Sequence, residues 1–154
     1  MFTTDWTIFF FCCLLAGAGG ALWKPDNWYH GLTKPPTTPP DVLVVIAWVF
    51  LYALMAWAGA RISNTGNTLA MGLWVGQLMI HAWFTPVFLG KRHLKGAFFV
   101  ALAYAITTGL LTVILLWVDW LSMFLMGVVF AWAVFATHLA WHIWKDNPQN
   151  PSKT

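Results

Sequence analysis

Residues 42–60 read VLVVIAWVFLYALMAWAGA and contain no charged side chain. A helix rises 1.5 Å per residue, so about 20 apolar residues cross the roughly 30 Å hydrocarbon core of a bilayer. Further apolar blocks of about this length lie at 6–22, 69–89, 96–117 and 121–144. The pattern predicts an all-α membrane protein, in which residues 1–154 form a single domain built as a bundle of five transmembrane helices.

Composition and charge agree with this prediction. The chain is 60% hydrophobic and 8% charged, whereas an ordinary soluble domain is about 25% charged. With five crossings, one end of the bundle collects most of the basic residues: Lys24, Lys34, Lys91, Arg92, Lys95, Lys145 and Lys153. Because Lys and Arg accumulate on the cytoplasmic side of membranes, we expect the C-terminus in the cytoplasm and the N-terminus outside. The positive charge is interpreted as a topology signal, and no nucleic-acid partner is expected.

The first block, 6–22, has two interpretations. Its length resembles that of a signal peptide, but no basic residue precedes it. Its small-residue run Ala16–Ala21 is typical of a face on which helices pack closely. We favour a retained first helix over a cleaved signal.

One long connection, residues 23–41, separates the first two blocks and reads WKPDNWYHGLTKPPTTPPD. Its five prolines prevent a continuous helix and stiffen the segment. Its aromatic residues are either anchors at the lipid headgroups or part of a lid that folds over the helix bundle, since long loops in compact domains tend to be functional. The other connections are short, so consecutive helices are expected to lie antiparallel.

Aromatic and polar residues within the blocks are the candidate functional groups. Six tryptophans lie away from the block ends: Trp48, Trp57, Trp74, Trp83, Trp132 and Trp141. With Tyr52 and Phe84 they form either a packed interior or an aromatic pocket for a flat conjugated or sterol-like ligand. His81 follows Gln77 by four residues, so a hydrogen bond of these side chains with each other or with another helix is the simplest interpretation. His81 and the deeper member of the His138/His142 pair are also candidate ligands for a porphyrin iron or a chlorin magnesium.

Two further features bear on assembly and chemistry. Gly72 and Gly76 have GxxxG spacing, which allows helix backbones to approach closely, either between two copies of the chain or within one; we favour a homodimer. Pro86 predicts a kink at the end of the third block. The sequence has no glutamate and no HExxH or CxxC motif, so no catalytic residue, no metal site and no enzyme activity are predicted.

Several stretches together resemble the TspO/MBR family, the tryptophan-rich sensory proteins related to the mitochondrial translocator protein and peripheral benzodiazepine receptor. The stretches are Trp28–Pro40, Ala47–Met55, Gln77–Arg92 and Trp132–Leu139. The resemblance covers essentially the whole chain. It implies a five-helix bundle, often dimeric, whose first loop covers a pocket open towards the cytoplasm.

The resemblance also implies a ligand and a site. Family members bind porphyrins, haem-type tetrapyrroles and sterols, so a tetrapyrrole or a sterol-like or hopanoid molecule is the expected ligand. The residues that the resemblance assigns to the site are Tyr29, Pro39, Pro40, Trp48, Tyr52, Trp132 and Thr137. To these we add Trp28 from the loop, Phe84 for stacking, and His81 or His138 for one polar or metal contact.

These expectations give one preferred function and two alternatives. The preferred one is a non-enzymatic sensor, carrier or regulator of the bacterial inner membrane, tied to porphyrin, bacteriochlorophyll or carotenoid metabolism. The first alternative is a structural or assembly subunit packed against a larger complex such as a photosynthetic antenna or reaction centre. Departures from the family pattern favour it, since His81 replaces an asparagine and Phe84 a tryptophan. The second alternative is light-dependent porphyrin degradation.

Overall fold

The computed structural model of the chain describes residues 2–148, with side chains from Trp6 onward. Regular structure in that part of the chain is entirely helical, as predicted. The elements are α1 (Phe2–Gly17), α2 (Gly19–Leu22), α3 (Asn27–His30), α4 (Asp41–Thr65), α5 (Thr68–Thr85), a π-helical turn (Pro86–Gly90), α6 (Leu94–Leu115) and α7 (Trp120–Asp146). Lys153, which the charge pattern assigns to the basic end, lies outside the described residues.

Four helices are long and apolar enough to cross a membrane: α4, α5 with its π-turn, α6 and α7. The first apolar segment, Trp6–Leu22, is shorter and is divided between α1 and α2. The chain is therefore an integral membrane protein, as the sequence predicts. Of the five predicted crossings, four are therefore helices of spanning length.

The end of α4 differs from the prediction. The apolar block was expected to end at Ala60, but α4 continues to Thr65. The side chains of Ser63 and Asn64 both donate to the Ala60 carbonyl oxygen, at 2.7 and 2.9 Å, and so accommodate polar residues within the last turn. The helix then ends at Gly66, whose φ of +68° is accessible to glycine without steric cost.

The proline kink is confirmed in the form of a π-helical turn. Pro86 lacks an amide hydrogen and cannot donate to the preceding turn. The chain widens into the Pro86–Gly90 π-turn, closed by a 2.8 Å hydrogen bond from the Lys91 amide to the Pro86 carbonyl oxygen. This turn ends the third apolar block and leads into the basic connection before α6.

The helices pack as an antiparallel bundle around a buried core. Helix α1 lies against α4 and α5, α6 lies between α5 and α7, and α4 contacts α7. Close approach of α1 to α4 depends on Gly17, because a Cβ there would lie only 2.2 Å from the Tyr52 hydroxyl oxygen. Farther along α1, the Phe9 ring meets the buried Trp74 ring edge-on at 5.0 Å.

The two ends of the bundle differ in charge, as the sequence predicts. At one end, Arg92 pairs with Asp26 at 2.7 Å, and Asn147 is hydrogen-bonded to Thr33. The long loop, the turn between α5 and α6 and the end of α7 therefore lie together, and we call this the basic end. Arg61 lies at the opposite end.

Gly72 and Gly76 lie on the outside of the bundle. A Cβ at either position would meet no atom within 4 Å. Packing of this GxxxG motif within the chain, one of the two alternatives, is therefore wrong. The surface remains available to a second copy of the chain.

Candidate functional site

Five aromatic side chains from four helices meet inside the bundle, and we call them the inner cluster: Trp48, Tyr52, His81, Tyr104 and Trp132. The His81 ring lies against Trp48 at a centroid distance of 4.3 Å and against Tyr104 at 5.2 Å. Trp132 meets Trp48 edge-on at 6.2 Å. Helices α4, α5, α6 and α7 each contribute to the inner cluster, so its geometry depends on the packing of the whole bundle.

His81 in the inner cluster is hydrogen-bonded between helices, which is one of the two predicted alternatives. His81 Nε2 lies 2.8 Å from the Tyr52 hydroxyl, and the expected His81–Gln77 hydrogen bond is not formed. The side-chain nitrogen and oxygen of Gln77 are buried without a partner among the described residues. The interhelical alternative is therefore confirmed for His81, and the bond between His81 and Gln77 is wrong. The sequence did not identify Tyr52 as the partner, because the 29-residue separation of Tyr52 and His81 is bridged only by helix packing.

The indole nitrogen of Trp132 is another buried atom without a partner in the described part of the protein. Buried N–H donors are nearly always hydrogen-bonded, because an unpaired donor costs about 1–3 kcal/mol. Trp132 therefore offers a donor beside the Trp48 ring. A ligand with an acceptor group entering there would satisfy it.

The long loop covers the basic end of the bundle through a second aromatic group, which we call the loop contact. Phe88 of the π-turn meets Trp28 at 6.2 Å and Tyr29 at 5.9 Å, and it also packs against Phe84 at 5.5 Å. Trp28 and Tyr29 are half-buried by this packing. The lid interpretation of the loop agrees with these contacts better than simple headgroup anchoring does.

Tyr29 also ties the loop to the start of α4. Its hydroxyl donates to Asp41 at 3.2 Å, and Lys34 Nζ lies 3.5 Å from its ring centroid. Burial, followed by the nearby Asp41 carboxylate, raises the pKa of Tyr29 to about 12. The phenol therefore stays protonated and keeps its hydroxyl donor throughout the physiological range.

Two further polar contacts, which we call latches, hold the loop to the end of α7 and to the turn before α6. Asn147 both accepts from the Thr33 amide and donates to the Thr33 carbonyl oxygen, each at 2.9 Å. The amide of Tyr29 donates to Asp26, which also pairs with Arg92, and these contacts lower the Asp26 pKa. The Asp26–Arg92 pair is about half exposed and is the weaker latch.

Comparison with known proteins identifies the relatives of this bundle. The sequence pattern of the TspO/MBR family matches residues 7–145. The chain belongs to the TspO/MBR family. It is 34% identical over 154 residues to protein CrtK of Rhodobacter capsulatus and 32% identical over 155 residues to the tryptophan-rich sensory protein of Cereibacter sphaeroides, each comparison covering 96% of both chains. It is 29% identical over 127 residues to the human translocator protein, covering 79% of this chain and 75% of the relative.

Some residues assigned to the TspO/MBR site lie elsewhere. His138 is exposed on the outer face of α7, so its assignment to an internal pocket is wrong. Thr137 donates to the carbonyl oxygens of Ala101 and Ala133, at 3.0 and 2.7 Å, and so joins α6 to α7. Pro40 is exposed and precedes the first turn of α4, and Phe84 belongs to the loop contact.

The four other tryptophans that lie away from the block ends are outside the inner cluster. Trp57, Trp83 and Trp141 are 50%, 60% and 41% exposed and face away from the core. Trp74 is buried, and its indole donates to the Met55 carbonyl oxygen at 2.9 Å. These four are not residues of the inner cluster. The first three lie on outward faces of their helices, and Trp74 packs in another part of the core.

Two residues of this TspO/MBR site escaped sequence reasoning. Tyr104 lies against His81 and Trp48, and Phe88 is the centre of the loop contact. Tyr104 is one of only three tyrosines in the chain and the only one in the apolar block 96–117. A tyrosine in the middle of a span has a hydroxyl that needs a hydrogen-bond partner, and this requirement could have identified Tyr104 as a candidate. Phe88 carried no signal, since it is one of twelve phenylalanines.

Proposed function

We propose that this TspO/MBR protein binds a flat conjugated ligand of the tetrapyrrole class within the membrane and acts as a sensor, carrier or regulator, without enzymatic turnover. The observation that carries the proposal is the inner cluster, in which aromatic faces surround the unpaired Trp132 N–H. Aromatic walls with few convergent polar groups are typical of small-molecule sites. The names of the relatives, a sensory protein and a translocator protein, are consistent with ligand-dependent signalling or transport.

Ligand entry requires the inner cluster to open. Its ring centroids lie 4.3 to 6.4 Å apart, which leaves no room for a macrocycle between them. Opening would separate Trp48 from Trp132 and expose the indole donor to an acceptor such as a propionate. The loop above is held by the Asn147–Thr33 latch and the exposed Asp26–Arg92 pair, so it is the element best placed to move. Affinity would then depend on both the rings and the latches.

Titration with metal-free protoporphyrin tests the proposal. Protein in lipid nanodiscs should bind about one porphyrin per chain, seen as quenched tryptophan emission and a shifted porphyrin absorbance. Trp132→Phe should weaken binding about fivefold, since one hydrogen bond contributes about 1 kcal/mol. Trp57→Phe is the matched control, because Trp57 faces outward. Unchanged spectra in the parent, or equal losses in both variants, would contradict the proposal.

A structural subunit is the second candidate. It is favoured by the closed packing of the inner cluster and by the outward position of Gly72 and Gly76, which leaves a smooth face for another helix. Mild-detergent native electrophoresis of the protein from its own membrane should then show a stable complex much larger than a dimer. Migration as a monomer or dimer, together with porphyrin binding, would remove this candidate.

Light-dependent porphyrin degradation is the remaining alternative. Trp48 packs against His81 at a centroid distance of 4.3 Å and is one of the two tryptophans of the inner cluster, the proposed porphyrin site. Illumination of the porphyrin complex, compared between the parent and Trp48→Phe at equal ligand occupancy, tests a role in turnover. Equal rates of porphyrin loss in the two proteins would leave the protein as a binder alone.

We propose five crossings, with the N-terminus outside a bacterial inner membrane. The 21-residue segment of α1 and α2 follows α5 along its length: Phe9 packs on Trp74 near one end, and Gly19 lies beside Thr85 at the basic end. At 1.5 Å per residue this segment is about 31 Å long, which matches the hydrocarbon core. We further propose that two copies pair through the α5 face that carries Gly72 and Gly76.

A further inference from the structure

Two lysines from different helices lie beside the same tryptophan ring at the basic end of the bundle. Lys145 Nζ is 4.2 Å and Lys95 Nζ is 6.0 Å from the ring centroid of Trp144. The indole is half-buried and stacks on Phe98 at 5.5 Å, so α6 holds the ring in place. The start of α6 and the end of α7 therefore present two ammonium groups around one fixed aromatic ring.

The positive charge of these two lysines is not neutralised by the described part of the protein, where neither ammonium group forms an ion pair. The aspartates with described side chains are engaged elsewhere. Asp26 and Asp41 hold the long loop, and Asp119 pairs with Arg61 at the opposite end. Asp146, although next to Lys145, lines a cleft beneath the loop together with Trp28. Lys95 and Lys145 are both exposed and are free to bind an anion.

An apolar path leads from these lysines towards the middle of the bilayer. One side of α6 carries, at spacings of four, three and four residues, the series Lys95, Phe99, Leu102 and Ile106. Phe99 is 51% exposed, and its ring lies 6.3 Å from that of Trp144. From Leu102 inward, a groove of about 360 Å³ between α6 and α7 is lined only by apolar residues. Ile106 in this groove is about 16 Å from Lys95 along the helix, about half of the hydrocarbon core, which is the depth that an acyl chain of one leaflet reaches.

The combination of charge, depth and groove identifies the ligand class. Tryptophan at the end of a span lies at the level of the lipid headgroups, and basic sites between transmembrane helices bind anionic headgroups. We propose that the cleft between α6 and α7 binds one anionic phospholipid in the leaflet at the basic end. Its phosphate lies between Lys95 and Lys145, and one acyl chain passes Phe99 into the groove. This site is separate from the inner cluster and does not rest on the proposed function.

Native mass spectrometry of the full chain tests the headgroup site, with phosphatidylglycerol and phosphatidylcholine of identical acyl chains as probes. One phosphatidylglycerol should bind per chain, more tightly than phosphatidylcholine. Each lysine near an anionic headgroup contributes a factor of about five in affinity, so Lys95→Gln combined with Lys145→Gln should weaken phosphatidylglycerol binding about 25-fold. Lys24→Gln combined with Lys91→Gln is the matched control, because it removes the same charge from exposed lysines at the same end and should cost much less.

Thermal unfolding in detergent gives a second readout. A lipid that binds only the folded protein stabilises it, so added phosphatidylglycerol should raise the Tm of the parent and of the control, but not of the Lys95/Lys145 double variant. Equal losses of binding in the two double variants would show a diffuse attraction to the whole basic end and would overturn the proposal. Equal binding of the two phospholipids by the parent, or displacement of phosphatidylglycerol by inorganic phosphate, would also overturn it.

The groove has its own test. Ile106→Trp, which fills the groove from α6, should weaken phosphatidylglycerol binding several-fold while the preference over phosphatidylcholine remains. Ile46→Trp on α4 is the control, since Ile46 is 59% and Ile106 55% exposed, and it should leave binding unchanged. Equal effects of the two changes would overturn the assignment of the groove. A complex between chains that forms without phosphatidylglycerol and is lost in Ile106→Trp would show that another helix occupies the groove, and would overturn it as well.

Discussion

Arg61 and Asp119 form the strongest single polar contact at the end of the bundle opposite the loop. The guanidinium donates from Nε and from the terminal nitrogen to the two carboxylate oxygens, at 2.8 and 2.7 Å. Asp119 also accepts from the Ser122 amide and so caps α7. The pair joins the end of α4 to the start of α7, two segments 58 residues apart in sequence.

Arg61→Gln should therefore lower the free energy of unfolding by about 2 kcal/mol, because it leaves a poorly exposed carboxylate without its charged donors. Thermal unfolding in detergent measures the effect. Arg92→Gln is the matched control, since its partner Asp26 is about half exposed and the loss should be smaller. Equal losses in the two variants would contradict the assigned importance of the Arg61–Asp119 pair.

The same pair predicts a dependence on pH. Hydrogen bonds from Arg61, and then from Ser122, hold the pKa of Asp119 well below its ordinary value of 3.8. A lowered folded-state pKa stabilises the folded protein fully above the ordinary value, and this stabilisation is lost as the pH falls from there through the folded-state pKa. Thermal stability should thus fall below about pH 4 more steeply in the parent than in Arg61→Gln.

Tyr52 makes the second residue-scale prediction. Its hydroxyl is the partner of buried His81 at 2.8 Å, whereas the Tyr104 hydroxyl donates to the Met55 sulfur over a longer distance of 3.8 Å. Tyr52→Phe should cost about 1–3 kcal/mol of unfolding free energy, because it leaves the imidazole nitrogen unpaired. Tyr104→Phe, the matched control in the same cluster, should cost clearly less. The opposite order in a denaturation series would show that His81 does not depend on Tyr52.

At the scale of elements, the long loop covers the basic end of the bundle and is held there by a few short contacts. Five prolines stiffen it, and short contacts fix it at the starts of α4 and α6 and at the end of α7. A stiff segment loses little entropy when it docks, so few hydrogen bonds suffice to hold it. We therefore expect the loop to open as a unit while the helices below stay packed.

Asn147→Ala removes both hydrogen bonds of the Thr33 latch and should increase the open fraction of the loop about tenfold, since two such bonds contribute about 1–3 kcal/mol together. Cleavage by chymotrypsin after Trp28 or Tyr29 measures opening. Trypsin is unsuitable because Lys24 and Lys34 each precede a proline. Asn64→Ala, at the other end of the bundle, is the control, and equal cleavage of both variants would contradict the latch.

At the scale of the whole molecule, the number of crossings sets which side of the membrane the N-terminus faces, since the long loop and the C-terminus lie at the same end of the bundle in either case. Five crossings place the two termini on opposite sides, and four place them on the same side. Tags at residue 1 and after residue 154, probed by protease in inside-out vesicles, should show the C-terminal tag exposed and the N-terminal tag protected. Equal exposure of the two tags would remove α1 as a crossing.

Assembly is the second prediction at this scale. Gly76→Leu should shift a dimer towards monomer, because a bulky side chain on the α5 outer face would hold two backbones apart. Within one chain the change has no neighbour to displace, so thermal stability of the monomer should not fall for steric reasons. Light scattering in detergent measures the size. Gly20→Leu, also without neighbours within 4 Å, is the control and should leave the size unchanged.

The sequence by itself determined the helical class, the membrane location and the family. It also predicted that the loop, the basic turn and the end of α7 lie at the same end of the bundle. Each follows from properties of short segments: apolar length, proline content, motif and charge. Trp48, Tyr52 and Trp132 were also predicted as site residues, through the family resemblance, and the structure brings them together in the inner cluster.

Only the tertiary structure decided which side chains face each other. The Tyr52–His81 bond, the place of Tyr104 in the inner cluster and the outward positions of His138 and Gly72 depend on how each helix is rotated about its axis. Uniformly apolar helices carry almost no hydrophobic periodicity to fix that rotation, since lipid and protein interior are both apolar. Side-chain packing between helices fixes it instead, and that information exists only in the assembled bundle.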